Sequence, residues 1–212
     1  MTSLNEEMSK SVQLRKTGTT TVGMVCKDSA ILATESKSTL GYLIASKESE
    51  KILQLDDHVA MTIAGSSGDA QALGRYLRAE LKLFSIENQR KISVEGAATL
   101  LSNILQGSKF YPYYVQLIVG GYDSTGPHIF DLDPIGSTEE EKRFFSTGSG
   151  SPMALGVLED NYKEGLTIDE GVKLATRAIK AAIERDIGSG GKIIHLCVIT
   201  KDGVKITQQD LK

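Results

Sequence analysis

Apolar and polar positions change rhythm several times along this chain, and the changes divide it into elements. The first 18 residues have neither period: Glu6, Glu7, Lys10, Arg15 and Lys16 are scattered with no apolar run among them, so the segment reads as a detachable arm. From Thr19 the pattern turns to alternation. Val22, Met24 and Cys26 alternate with Thr21, Gly23 and Val25, which predicts a strand; Lys27-Asp28-Ser29 is a turn, and residues 30–34 form a second strand. Further strands are predicted at 42–45, 51–55 and 58–64. The period then lengthens, with Ala70, Leu73, Leu77, Leu81 and Phe84 predicting a helix over 67–84, and Ala97, Leu101, Ile104 and Leu105 a second over 93–106. Strand patterns return at 114–119, 128–132 and 143–145. Ser151-Pro152 predicts a helix start with Ser151 as N-cap and Pro152 at the first helical position. Thr167-Ile168-Asp169-Glu170 is a capping box opening a helix that carries Val172, Leu174, Ala175, Ala178, Ile179 and Ala182. Strands at 193–200 and 204–207 close the chain.

Strands, a helix pair, strands, a second helix pair, then strands is not the alternation of a doubly wound sheet. It predicts an α+β fold of one domain, with two sheets face to face and a helix layer outside each. At 212 residues the chain is long enough for one well-buried core. A net charge of −3, with no basic stripe, gives no footprint for nucleic acid. No apolar stretch reaches the roughly 18 residues of a membrane span, and the polar start holds no signal-peptide core, so the expectation is a soluble cytoplasmic protein. Cys26 and Cys197 lie far apart in apolar runs and read as buried free thiols. His58, His128 and His195 have no ligand spacing; they read as structural, and no metal or cofactor is expected.

The chemistry concentrates at Gly18-Thr19-Thr20-Thr21. A threonine triplet is by itself a good strand segment, and that reading stands. The other reading is catalytic. Cleavage after Gly18 would give Thr19 a free α-amine beside its own hydroxyl, placing nucleophile and base in one residue. Gly18, lacking Cβ, can turn its carbonyl against that hydroxyl. Glu35 ends the second strand and Lys51 opens a later one. A lysine near Thr19 would lower the proton affinity of its hydroxyl and amine, and a carboxylate would hold that lysine in place. Three glycine-rich loops, 64–69, 146–151 and 186–191, can offer backbone N–H groups to an oxyanion; none ends in the Gly-Lys-Ser/Thr of a phosphate-binding loop.

Taken together, Thr-Gly-Thr-Thr-Thr-Val-Gly at 17–23, Ala-Thr-Glu at 33–35, Lys51-Ile52, Ala-Gly-Ser-Ser-Gly-Asp at 64–69, Gly-Ser-Gly-Ser-Pro at 148–152 and Asp-Ile-Gly-Ser-Gly-Gly at 186–191 resemble the β-subunits of the archaeal proteasome core particle. The resemblance runs from about Gly18 to the end. It implies an N-terminal-nucleophile hydrolase with a four-layer αββα sandwich, made as a precursor whose residues 1–18 are removed autocatalytically from a catalytic domain at 19–212. It implies a threonine endopeptidase that degrades unfolded polypeptide inside a closed chamber. The chamber would be built from homo-heptameric β rings stacked on each other and on α-subunit rings, with a regulatory ATPase docking on the α rings. Carried over by position, Thr19 is the nucleophile, Lys51 tunes it, Glu35 orients Lys51 and Gly65 supplies the oxyanion-hole N–H. Ser149, Asp186 and Ser189 would support the Thr19 amine and the catalytic water. Ser38, Ser49, Leu53, Ile63 and Ser67 fall where the family lines its primary specificity pocket, whose uncharged walls imply cleavage after apolar residues. Two features depart from the commoner pattern: Glu35 stands where many members have Asp, and Ser36-Lys37 where many have two arginines. Two other readings remain, a non-catalytic ring subunit and an amidohydrolase acting on small amides.

Overall fold

A computed structural model describes residues 18–211, so the arm at 1–17 lies outside the described residues. The strands are β1 (Thr21–Cys26), β2 (Ser29–Glu35), β3 (Ser38–Leu40), β4 (Leu43–Ser46), β5 (Ile52–Gln54), β6 (Val59–Thr62) and β7 (Ala64–Gly65). After α1 (Ser67–Asn88) and α2 (Val94–Gly107) come β8 (Val115–Asp123), β9 (Gly126–Leu132), β10 (Thr138–Glu141) and β11 (Phe144–Thr147). Then follow α3 (Ser151–Asn161), α4 (Ile168–Ile183), β12 (Ile193–Thr200) and β13 (Gly203–Asp210). One sheet has the order β11-β1-β2-β12-β13 and the other β10-β9-β8-β6-β5, with antiparallel pairing throughout both; β3 and β4 form a separate hairpin. The expected layering is present.

Strand period 2 explains the layers. In β2, buried along its whole length, Ile31 and Ala33 face the α3–α4 side with Val22 and Met24, while Ala30 and Leu32 enter the core between the sheets. In β8, Leu117 and Val119 pack under α1 and α2, and Ile118 points the other way, into the inter-sheet core. The sheets meet closely because two facing positions have no side chain. A Cβ on Gly23 would lie 2.7 Å from the Ile118 methyl, and one on Gly120 would lie 3.0 Å from Leu32.

Three local differences from the sequence expectation have physical causes. The strand expected at 42–45 is β4, and it gains an unexpected hairpin partner in β3 because Gly41 takes φ +59° and lets the chain reverse there. β10, a run of threonine and three glutamates, carries no apolar alternation and is held by pairing with β9. At α3 the N-cap is Gly150 and not Ser151, whose hydroxyl makes no capping bond; Pro152 keeps its place in the first turn. The capping box at α4 is complete: the Thr167 hydroxyl accepts from Glu170 N, and the Glu170 carboxylate accepts from Thr167 N at 2.9 Å.

Both cysteines are free and buried, and burial pushes the Cys26 thiol up to about 11 and Cys197 up to about 12. Native protein treated with iodoacetamide near pH 8 is therefore expected to stay unlabelled while denatured protein takes two labels; fast native labelling would show that these strands open readily.

Candidate active site

The backbone brings Thr19, Glu35 and Lys51 together at one end of the sandwich. β1 starts two residues after Thr19 and pairs with β2, so Thr21 lies opposite Thr34 and the next residue of β2 is Glu35. Lys51 immediately precedes β5, the edge strand of the other sheet. All three side chains are buried, with Thr19 4%, Glu35 0% and Lys51 6% exposed.

Lys51 Nζ donates to Thr19 Oγ1 at 2.9 Å, to the Lys37 carbonyl at 2.5 Å and to Glu35 Oε1. An ammonium has three protons, and here each has an acceptor. Glu35 is equally satisfied. Its Oε1 also accepts from Thr20 N at 3.3 Å, and Oε2 accepts from Lys37 N at 2.6 Å and Gly190 N at 3.1 Å. Burial pushes the Lys51 ammonium below the ordinary lysine range and the Glu35 carboxyl above the ordinary carboxylate range; their mutual attraction and hydrogen bonds oppose both displacements. An ion pair this buried is held by geometry, since each charge alone would be costly to desolvate.

Thr19 has a second set of contacts. Its hydroxyl donates to the Gly18 carbonyl at 2.6 Å, which holds the oxygen against the peptide group that precedes it. Its nitrogen, a peptide amide while Gly18 is attached, donates to Ser149 Oγ at 3.2 Å. Ser149 and Ser189 both donate to Asp186 Oδ2 at 2.6 Å. Because the Ser189 proton is committed to Asp186, the 2.6 Å contact between Thr20 and Ser189 makes Thr20 the donor. One hydroxyl chain thus runs from Thr19 N through Ser149 to Asp186 and back through Ser189 to Thr20. Gly18 itself sits against Gly188, where a Cβ would come within 2.0 Å of the Gly188 Cα. No side chain fits at position 18.

Gly65 has φ +107°, and a Cβ there would meet the Tyr114 carbonyl oxygen at 2.2 Å, so the tight passage from β7 into α1 requires glycine. It lines a small hollow together with Gly18, Thr19, Ser38, Thr39, Lys51, Ile63 and Ser67. Beside that hollow lies an open cleft of about 870 Å³, walled by the β3–β4 hairpin, Gly65, Tyr114–Gln116 and the loops holding Ser149 and Asp186. Of the five residues placed by position in a specificity pocket, Ser38, Ile63 and Ser67 line the hollow. Leu53 turns to α1, where its methyl lies 2.7 Å from the Cβ position of Gly74, and Ser49 donates its N–H to the Ser36 carbonyl.

Sequence reasoning overlooked Thr20 and Lys37. Thr20 carried a signal, as a β-branched polar residue adjacent to the candidate nucleophile; Lys37 contributes backbone groups, which no side-chain pattern reveals. The Ser36-Lys37 departure also gains an explanation. Ser36 is fully buried, donates to the Lys47 carbonyl and accepts from Lys192 N and Ile193 N; the two accepting roles are closed to a guanidinium, which has no acceptor. The Lys37 ammonium reaches across to the Ile187 carbonyl at 2.6 Å.

Comparison with known proteins places this geometry. The family model described as "Proteasome subunit" matches residues 15–199. The chain belongs to the proteasome subunit family. Within that family its relatives are of β type. It is 53% identical over 194 residues to a "Proteasome subunit beta" of Methanocaldococcus vulcanius, covering 91% of this chain and 86% of that protein. A protein of the same name from Methanococcoides burtonii is 55% identical over 87% of this chain and 88% of its own length. One from Ferroglobus placidus is 48% identical over 92% and 93%. The two-sheet α+β architecture is the one expected for this family, and the chain is a β-type subunit with the protease role general to it.

Proposed function

We propose that this β-type subunit is a threonine endopeptidase that first cuts itself. The single observation that carries the reading is the Thr19 hydroxyl held between the Lys51 ammonium at 2.9 Å and the Gly18 carbonyl at 2.6 Å. In the first reaction Thr19 Oγ adds to the Gly18 carbonyl carbon. An ester bond forms, the Gly18–Thr19 amide bond breaks, and the hydroxyl proton ends on the departing nitrogen. Water then hydrolyses the ester, leaving Gly18 with a carboxylate and Thr19 with a free amine; residues 1–18 are the segment released.

In the mature chain that amine, with a reference pKa of about 7.7–8.0, takes the Thr19 hydroxyl proton as Oγ attacks a substrate carbonyl and returns it to the leaving amine. Lys51 stabilises the developing alkoxide, Glu35 holds Lys51, and the Gly65 N–H receives the oxyanion. Ser149, Asp186 and Ser189 orient the amine and the water that resolves the acyl ester. Ser38, Ile63 and Ser67 form the wall nearest the nucleophile, and these three side chains carry no charge, which favours cleavage after apolar residues.

Assembly into rings with α-type subunits fits the surface. Leu40, Tyr42, Leu43 and Ile44 are exposed apolar side chains on the β3–β4 hairpin, and Phe110 and Tyr111 are exposed after α2, surfaces of the kind a neighbouring subunit would cover. Seven-fold β rings stacked on each other and on α rings, fed with unfolded polypeptide by an ATPase in the cytoplasm, are the proposed setting. No helix among the described residues is long and apolar enough to cross a membrane. The decisive measurement is the intact mass of the assembled β chain. It is expected to begin at Thr19, and a chain retaining residues before Thr19 would favour a non-catalytic ring subunit.

A further inference from the structure

We propose that the Lys37 side chain is a positioning residue of the mature site: its ammonium holds the Ile187–Gly188 peptide group and, through it, keeps Asp186 and Ser149 in register with the Thr19 amine. This role rests on the threonine-endopeptidase reading above and adds to it a side chain that acts through others.

One peptide plane makes the connection. Lys37 lies between β2 and β3, and its side chain crosses to the loop between α4 and β12, where Nζ donates to the Ile187 carbonyl at 2.6 Å. That carbonyl and the Gly188 N–H belong to the same planar peptide group. The N–H donates in turn to Asp186 Oδ1 at 3.2 Å. With Oδ1 engaged there, Oδ2 is the oxygen that accepts from Ser149 and Ser189, both at 2.6 Å. A carboxylate is flat, so fixing one oxygen fixes the direction of the other. Ser149 then has its own oxygen free to accept the Thr19 N–H at 3.2 Å. A cation on the Ile187 carbonyl also polarises the peptide group and strengthens its N–H as a donor.

The lysine is packed into place. Its stem lies over Gly190, where a Cβ would come 3.4 Å from Nζ and 3.5 Å from Cδ and Cε. Both ends of the loop are anchored independently of the ammonium: Asp186 N donates to the Ala182 carbonyl at 2.8 Å, and the Gly190 carbonyl accepts from Ser36 N and Lys37 N, both at 3.0 Å. The tip between these anchors is held differently. Ile187 is 80% exposed, and while Gly18 is attached, Gly188 is pressed against it, with a Cβ position 2.4 Å from the Gly18 Cα. Release of residues 1–18 removes that brace. Among the described residues, the Lys37 ammonium is then the hydrogen-bond donor that still reaches the Ile187–Gly188 plane from outside its loop. The mature site therefore depends on Lys37 more than the precursor does.

The test compares self-processing with turnover in Lys37→Met, which keeps an apolar stem over Gly190 and every backbone bond of residue 37 but has no donor at its end. Assembled particles made from the full-length chain are followed by intact mass for loss of residues 1–18, and the processed particles are then assayed for peptide hydrolysis. The expected result is a fall in kcat of about 10–10², the scale for a slightly misplaced reacting group, with KM within about threefold and processing slowed roughly tenfold less than turnover. Lys37→Arg restores a charged donor and should recover most of kcat, a rescue that a space-filling role would not show. Native kcat in Lys37→Met, or a raised KM at native kcat, overturns the proposal and leaves the endopeptidase reading in place. Equal losses in processing and turnover, or failure of Lys37→Met to assemble, also overturn it, since the side chain would then serve the precursor or the fold. A native particle that neither sheds residues 1–18 nor cleaves peptide sinks the endopeptidase reading and this role with it.

Discussion

Thr19→Ala is expected to leave a folded, assembled subunit that keeps residues 1–18 and hydrolyses no peptide. The hydroxyl is the atom that both reactions share, so its loss removes processing and turnover together. Deleting a nucleophile of this kind costs on the order of 10⁶ in rate elsewhere, which places the variant at the assay background. The fold should survive. Alanine removes one of three acceptors around Lys51 and a methyl from a site at the sheet end, a loss of about 1–3 kcal/mol. Thr19→Ser keeps hydroxyl and amine and should retain both activities. Intact mass and peptide hydrolysis measured on the same assembled sample decide the matter. A Thr19→Ala chain that still loses its first 18 residues, or still turns over substrate, would refute the assignment of the nucleophile.

Lys51→Ala is the second large effect. Peptidase activity of a chain expressed with Thr19 already at its N-terminus is expected to fall by about 10²–10⁴, the range for a removed proton-transfer or charge-stabilising group. Stability should fall as well, by about 3–5 kcal/mol, because Glu35 is left buried without its counter-ion. Lys51→Arg separates these contributions. It restores the charge, but a planar guanidinium cannot point three donors at Thr19 Oγ1, Glu35 and the Lys37 carbonyl, so stability should recover further than rate. The pH profile carries a second signature. The acid limb reports protonation of the Thr19 amine, which must be neutral to act as base. The alkaline limb reports loss of the Lys51 proton and should lie below the ordinary lysine range, since burial favours the neutral form. A Lys51→Ala enzyme within tenfold of the native rate would show that the ammonium only props up the fold.

The distinction between seeing a residue and seeing its partners runs through the whole chain. The alternation of Val22, Met24 and Cys26 and the helical spacing of Leu73, Leu77 and Leu81 were legible because burial on one face imposes a period on the sequence. β10 was not, since its Thr-Glu-Glu-Glu owes its strand to hydrogen bonds with β9 and not to burial. Ser151 looked like a cap beside Pro152, but the backbone turns one residue earlier, at Gly150. Thr19, Glu35 and Lys51 could be picked out as residue types whose chemistry would combine. The backbone of Lys37 could not, because it donates and accepts at positions fixed by other segments, and Thr20, though adjacent to the candidate nucleophile, gains its role only from the distant Ser189.

By itself, then, the sequence determined the order of strands and helix pairs, a candidate nucleophile bonded to a glycine without a side chain, and two charges whose chemistry could tune it. These are properties of residue type and local period, and they survive being written in one line. Only the tertiary structure decided that Glu35 and Lys51, 16 residues apart in the chain, close to a direct ion pair, and that Ser149, 130 residues from Thr19, accepts its N–H. It also decided that Gly18 is pressed against Gly188 and that the His58 ring bridges the Asp57 carboxylate and the Ile92 carbonyl. Such contacts depend on where the sheets meet and how the loops close. Pairing two sheets through their buried faces fixes distances between residues far apart in the chain, and no local pattern encodes a distance.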